Sequence, residues 1–491
     1  MPNKKNNNHH QSNRIDRIQS VLDFCSAIIR EDSGLSEQTM IQDSQLPDVI
    51  MPSDHIQPVS ESEMNRAVDL LETILTNPSP AKVVSDHLDE IEGLLPAFLE
   101  LNIRDVQRKG NQDVLIQLRA LQTSLKLKEK EDQLASPALR IPSNSDQPES
   151  DFNQPVVLFA SPPTSVGNSR GEIIRQSLLT AGCSVHDLHS VSIEKIQNYD
   201  VFIACNPHSD PMVMKVLATC AARHIPVLID LDNYYEDIPL SDPSYPQLSL
   251  HSPEAARAYT SALVLASAVS VPSRMMADAL LKKVKNVWVV PDGWSNQNIL
   301  WNHPIPKHNM VNIGWGDSTG RVEDILPIRR LLIRTIREFS QTQLVIYGNS
   351  QVYQLFDSLP ETRKLFVPET APDDYPYLLD QIDILTVPLL NNPFNQYKSD
   401  KPLMEAGVKY TPWIASPIPA YLDWEKGGLI AKSIDEWHTY LRQLIIDTDL
   451  RISLGVAGNK KSNEREVSQL SIYWLEIIQE VMKIHEKTVS M

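Results

Sequence analysis

A change of rhythm near residue 155 constrains this chain more than any other feature. From there onward, short apolar runs alternate with helical runs. "PVVLFA" (155–160), "YDVFIACNP" (199–207), "IPVLIDLD" (225–232), "AVSVPS" (268–273) and "NVWVVPDG" (286–293) read as strands. Between them, "GEIIRQSLLTAG" (171–182), "MVMKVLATCAARH" (212–224), "SPEAARAYTSALVLAS" (252–267) and "MMADALLKKV" (275–284) read as helices. Apolar strands that alternate with helices imply a parallel sheet covered on both faces.

The Pro/His-rich stretch "WNHPIPKHN" (301–309) interrupts this series, and the alternation then restarts. "MVNIGW" (310–315), "TQLVIYG" (342–348), "DILTVPLL" (383–390) and "TPWIAS" (411–416) are its strands, and "LFVPE" (365–369) is a short one. "ILPIRRLLIRTIREF" (325–339), "YPYLLDQI" (375–382) and "SDKPLMEAGVKY" (399–410) are its helices. Val467, Leu470, Trp474, Ile477, Ile478 and Val481 line one face of a final amphipathic helix. The expected fold class is α/β, with two facing Rossmann-like, doubly wound domains behind an α-helical N-terminal region. Ligands bind beyond the carboxyl ends of the strands in such sheets.

The region before residue 155 has a different pattern. Apolar residues recur at helical spacing over 15–29, 64–75, 84–95 and 114–125, after a polar, Asn/His-rich start. These helices suit self-association or partner docking, and nothing in them suggests chemistry. The predicted organisation is a helical region over 1–127, a charged then Pro/Ser-rich linker over 128–154, and α/β domains over 155–305 and 306–463. A terminal helix over 464–485 completes it.

Net charge is −17, from 45 basic and 62 acidic residues. That balance argues against a nucleic-acid partner, which needs clustered Lys and Arg. It also disfavours general attraction to anionic lipid, although peripheral membrane contact stays open. Cys25, Cys183, Cys205 and Cys220 form no CxxC pair, and no zinc constellation is visible. Reduced, buried thiols in a cytoplasmic protein are the expectation. The first 14 residues hold no apolar leader core, and no stretch approaches the roughly 20 apolar residues of a membrane span.

Three loops carry candidate chemistry. "SPPTSVGNSRGE" (161–172) leads into a helix, whose N-terminal amides favour anions, and offers Gly167 and Arg170. "GWGDSTGR" (314–321) offers Gly316 for close backbone approach, Ser318 for its hydroxyl and Arg321 as a bidentate phosphate donor. Neither loop has the spacing of a dinucleotide or Walker motif, so each also suits an ordinary turn. In the third, "PLLNNPFNQYKSDKPLMEAGVKYTPWIAS" (388–416), a strand ends in a polar loop with Asn395, Lys398 and Ser399, and a helix then carries Glu405. Lys398 suits a diphosphate and Glu405 suits sugar hydroxyls; a solvated pair at a helix start is the plainer alternative.

The stretch "DILTVPLLNNPFNQYKSDKPLMEAGVKYTPWIAS" (383–416) resembles the donor-site segment of family 4 glycosyltransferases of the GT-B fold. "IPVLIDLDNYYEDIP", "ASAVSVPSRMMADAL", "NVWVVPDGWSNQNIL" and "VNIGWGDSTGR" resemble four further segments of that family, and the likeness runs from Pro155 to Lys483. It implies retaining transfer from a nucleotide-diphosphate sugar to a glycan or other hydroxyl acceptor, with no required metal or cofactor. The second domain would hold the donor through Gly316, Ser318, Arg321, Asn395, Lys398, Ser399 and Glu405. The first would hold the acceptor near Gly167, Arg170, Asp230 and Asp232. His208 is the nearest match to the histidine many relatives carry, which would join Lys398 and Glu405 as catalytic. Cell-surface polysaccharide assembly is the family-level role.

The chain departs from the pattern in places. Tyr397 stands where the family often has a first glutamate, Asp292 where Pro-Asn-Gly has Asn, and Tyr410 where Gly-x-Pro has Gly. The missing first glutamate and the added helical region motivate another reading, a weakened relative acting as a nucleotide-sugar-binding or scaffold protein. A third is an isomerase, such as a sugar-nucleotide epimerase, on a similar two-domain fold.

Overall fold

The structure is a computed structural model that describes residues 60–76, 88–110, 115, 118–119, 138–140, 154–162, 169–191, 193–242, 244–303, 306, 308–316 and 321–490. The chain divides into two compact units, Met1–Glu129 and Lys130–Met491. In the first unit, α1 (Glu61–Thr76) packs on α2 (Leu88–Lys109). Ser60 and Glu63 start α1 as a capping box. Glu63 N donates to Ser60 Oγ (3.2 Å), and Ser60 N donates to Glu63 Oε2 (2.9 Å). Met64, Ala67 and Leu70 are buried on α1, as are Phe98, Leu99 and Ile103 on α2. The helical pattern over 15–29 lies outside the described residues.

The second unit holds two parallel sheets. The first comprises β1 (Ala138–Arg140), β2 (Val156–Ala160), β3 (Ser184–Asp187), β4 (Val201–Cys205), β5 (Val227–Asp230), β6 (Ala268–Val271) and β7 (Asn286–Val289). Their spatial order is β1-β7-β6-β5-β4-β2-β3. The second comprises β8 (Val311–Trp315), β9 (Thr342–Gly348), β10 (Lys364–Pro368), β11 (Ile384–Val387), β12 (Trp413–Ala415) and β13 (Gly428–Ile430). Its order is β10-β9-β8-β11-β12-β13. Strand order reverses at β2/β4 in the first sheet and at β8/β11 in the second, so each has a crevice beyond its strand ends.

Crossover helices cover both faces. They include α3 (Ser169–Thr180), α4 (Pro211–Ala222), α5 (Pro253–Leu265) and α6 (Arg274–Leu280) on the first sheet. On the second they include α7 (Val322–Glu338), α8 (Lys401–Val408), α9 (Ile434–Ile446) and α10 (Thr448–Ser462). Asp210, Ser252, Ser273, Ser433 and Asp447 cap five of these helices through their side chains. Cys183, Cys205 and Cys220 are free and buried. Burial pushes the Cys183 thiol to about 11 and the Cys220 thiol to about 12, so both stay protonated and inert. Cys25 lies outside the described residues. No described helix is long and apolar enough to cross a membrane.

Part of the stretch expected as a linker is structured. Ala138–Arg140 pairs parallel with β7, and Arg140 lies 5.6 Å over the Trp288 ring. Its three residues are fewer than a hydrophobic pattern needs to register.

The terminal helix α11 (Val467–Ser490) returns to the first sheet, where Leu470, Trp474, Ile477, Ile478 and Val481 join the core of Val157, Phe159 and Ile174. Trp294 N donates to Arg465 O (3.1 Å) and Val467 N donates to Trp294 O (2.9 Å), so the two chain crossings run side by side. Gly293 makes this approach possible, because a Cβ there would overlap Leu470 Cδ1 and sit 2.6 Å from Arg465 O. Gly293→Ala should therefore push the crossover away, costing about 1–3 kcal/mol. A urea unfolding midpoint equal to that of the natural protein would contradict this.

Candidate functional site

The second sheet's switch point opens into a pocket. It is lined by Trp315, Gly316, Arg321, Asp324, Tyr375, Leu385, Thr386, Val387, Pro388, Leu389, Lys398 and Pro402, with an empty volume, mouth included, of about 460 Å³. Gly316 follows β8 directly, at φ +130°, where a Cβ would lie 2.5 Å from Tyr347 O. That backbone conformation and that approach both require glycine.

Lys398 lines this pocket, half-buried, with its ammonium 5.3 Å over the Phe394 ring. Among the described residues no carboxylate pairs with it. Arg321 lines the pocket too, but its charge is already matched. Nε and Nη2 donate to Asp324 Oδ2 (3.0 and 2.8 Å), and Nη2 also donates to Asn395 Oδ1. Glu323 and Asp242 approach at 3.9 and 3.7 Å. Nη1 has no hydrogen-bond partner among the described residues.

Asn395 is fully buried and serves this bracket. Its Nδ2 donates to Asp324 Oδ1 (2.9 Å) and to Leu390 O (2.9 Å). The bracket ties the first turn of α7 to the loop after β11 and shapes the pocket wall. Of the expected donor group, the structure thus brings Gly316, Arg321 and Lys398 to one pocket, with Asn395 behind its wall. Ser318 lies outside the described residues. Ser399 does not line the pocket; it lies beside Asp292 of the first domain, and its Oγ accepts from Lys401 N (3.4 Å). Glu405 sits one turn into α8, half-buried and 3.9 Å from Lys401 Nζ; the pocket wall reaches Pro402 and stops short of it.

On the first domain, Arg170 and Asp230 form a buried pair. Arg170 Nε and Nη2 donate to Asp230 (2.9 and 2.8 Å), Nη1 donates to Asp292 (3.2 Å), and Ser270 Oγ donates to Asp230 (2.7 Å). Burial alone would lower the arginine pKa, but the two carboxylates raise it instead. For Asp292, burial raises the pKa and Arg170, Lys401 and Ser399 outweigh it, so the net shift is downward. Arg170 and Asp230 therefore brace the strand ends with their polar atoms facing inward. Asp232 is half-buried at the end of β5; burial raises its pKa, while the Tyr235 hydroxyl donated to it pulls the other way. Gly167 lies outside the described residues.

His208 follows β4 but does not join the pocket. Its ring packs edge-on against Tyr235 (4.5 Å) and Tyr259 (5.3 Å), with neither nitrogen hydrogen-bonded among the described residues. Burial drives its pKa down to about 4, against a smaller opposing pull from the Leu248 backbone.

Tyr234, Asp242 and Asp292 reach across the cleft, and sequence reasoning gave none of them a role. Tyr234 stacks on Tyr397 with centroids 3.9 Å apart. Asp242 faces Arg321, and Ser241 bonds Glu323. Tyr234 and Asp292 stood in quoted stretches, Asp292 at the position where the family's pattern has Asn; Asp242 stood in none.

Solved structures are similar to this chain. A glycosyltransferase from Rickettsia africae ESF-5 has a TM-score of 0.50 at 14% identity, over 68% of this chain and 100% of its own. Anabaena Alr3699/HepE, solved with UDP and glucose, has a TM-score of 0.49 at 14% identity, over 66% and 100%. TarM has a TM-score of 0.44 at 14% identity over 57% of this chain, which spans 54% of TarM. No family model matches the sequence, and no curated protein does. The chain has the GT-B type fold, two Rossmann-like domains with their strand ends facing.

The buried histidine makes acid stability testable. The folded ring takes its proton only near pH 4, whereas the unfolded chain takes it near pH 6.5. Between those values the unfolded state holds more protons, so stability falls as pH falls. Titrating unfolding free energy from pH 7 to 4, His208→Phe should lose about 3 kcal/mol less than the natural protein. Parallel curves would place the histidine in water.

Proposed function

We propose that this chain is a glycosyltransferase that moves a sugar from a nucleotide-diphosphate sugar to a glycan or other hydroxyl acceptor. The observation that carries the reading is Lys398, a half-buried cation without a carboxylate partner among the described residues, lining a pocket at the second sheet's switch point. Breaking the anomeric bond to a diphosphate leaves an oxocarbenium-like centre and a growing negative charge. Preorganised cations and amides aimed at that charge lower the barrier. Lys398 and the Gly316 backbone are the groups suited to it here. Gly316 lets main chain approach closely without a side chain intervening.

Glu405, one turn further along α8, would take the donor's sugar hydroxyls once the donor extends past Pro402. Asp232 would orient the acceptor hydroxyl from the opposite strand ends. Retention, and transfer without a required metal, follow from the sequence resemblance. The polysaccharide role rests on the same ground, and the cytoplasmic setting on the reduced cysteines.

One observation favours a second reading, a relative that binds nucleotide sugars without turnover. Asp242, Glu323 and Asp324 surround Arg321, and Tyr397 replaces a carboxylate that many relatives use. A panel of nucleotide sugars and acceptors, scored for nucleoside diphosphate release, separates the two. Release identifies the enzyme; tight binding with no release across the panel identifies the binder. Lys398→Ala should weaken binding of the preferred nucleoside diphosphate by about ten- to a hundredfold, the worth of a charged hydrogen bond, while leaving the melting temperature unchanged. Calorimetry that returns equal affinities would remove Lys398 from the site.

A further inference from the structure

The residues beside Lys398 are tied away from the pocket that it lines. Tyr397 is held twice by the first domain: its ring stacks on Tyr234, with centroids 3.9 Å apart and planes at 26°, and its carbonyl oxygen accepts from Ser273 Oγ (2.8 Å). Ser399 lies beside Asp292 of the first domain, and its Oγ accepts from Lys401 N (3.4 Å). Asp400 pairs with Arg465 of the crossover segment (3.4 Å). Lys398 alone of these four lines the pocket.

The anchors are themselves fixed. Ser273 caps α6, accepting from Met276 N (3.3 Å). The Tyr234 hydroxyl donates to Glu236 (3.3 Å). Asp292 is held by Arg170 (3.2 Å). A tyrosine at position 397 can stack, which a carboxylate cannot, and it adds no negative charge beside the lysine.

We infer that Tyr397 is a positioning residue: stacked on Tyr234 and bonded by Ser273, it docks the donor loop on the first domain and so sets where the Lys398 ammonium stands in the pocket. Closure of the cleft and assembly of the anion site are then one event. This rests on the nucleotide reading only for the nature of the anion; the dock itself does not.

The test uses the full chain, with Tyr234→Ala, Tyr234→Phe, Tyr397→Ala and Tyr397→Phe. Hydrogen–deuterium exchange is read over residues 393–400, and affinity by calorimetry with whichever of UDP, GDP and ADP binds the natural protein best. Tyr234→Ala lies far from that loop in sequence, yet it should speed exchange there without moving the melting temperature. It should also weaken the nucleoside diphosphate about three- to tenfold. Each Phe variant keeps the stack and should behave as the natural protein, and the double alanine variant should be no worse than either single one. Unchanged exchange over 393–400 in Tyr234→Ala overturns the inference. So does faster exchange there with unchanged affinity, because the dock would then not set the lysine. If none of the three diphosphates binds the natural protein, the nucleotide reading fails, and exchange alone decides the dock.

Discussion

A parallel sheet buried on both faces governs this molecule. Its strands cannot be joined by hairpins, so each needs a helical crossover, and reversing the direction of winding leaves a crevice where two crossovers diverge. The second sheet starts at β8, winds outward to β10, then restarts on the other side at β11. The pocket sits at that point, between Trp315–Gly316 and Leu385–Leu389. The first sheet repeats the plan at β2/β4, and its strand-end loops meet those of the second sheet across the cleft.

Charge placement follows from the cost of burying ions. A buried cation needs matched carboxylates or carbonyls. Arg170 has Asp230 and Asp292, Arg321 has Asp324 with Asp242 and Glu323 near, and Lys409 has Asp380 at 2.6 Å. Their relative exposures are 6%, 2% and 1%, so these residues are structure first. Lys398 is the contrast, half-buried and lining the pocket without a carboxylate partner among the described residues. A site that binds an anion needs such a group, because a cation already neutralised has little left to give.

How much the sequence reveals follows the same physics. Central strands such as "VFIAC" and "VLID" are buried throughout and read as apolar runs. Edge strands do not: β1 is three residues, β3 is largely exposed, and β13 is a half-buried "GLI". No run of apolar residues marks them, and each is defined by the neighbour it pairs with. At the site, the placement of Lys398 and Gly316 in one pocket is legible because their signals are local, a polar loop after one strand and a glycine directly after another. Arg170, Asp230 and Asn395 were read as ligand-facing because polar residues at strand ends usually face solvent, whereas here long-range partners 60 and 74 positions away claim them. His208 was drawn to the chemistry by its place after β4, yet two tyrosines from distant segments enclose it. Asp242 has no local signal at all.

The cleft can open only through the few places where the chain passes between the sheets. One is the connector Ile299–Asn302, which Lys409 Nζ pins to the second domain by donating to Leu300 O (3.0 Å) and His303 O (2.9 Å). The other is the crossover, where Trp294 and Glu466 form an isolated parallel bridge and α11 goes on to complete the first core. Both lie at the same edge of the cleft, since Trp294 and Trp301 pack on each other at 6.2 Å. The two passages therefore hold the sheets together at that edge. Tyr234 with Tyr397, Ser273 with Tyr397 and Asp242 with Arg321 all join the two sheets' loops rather than their cores. Such contacts can break and re-form without unfolding either domain, so the lysine's place in the pocket depends on the state of the cleft.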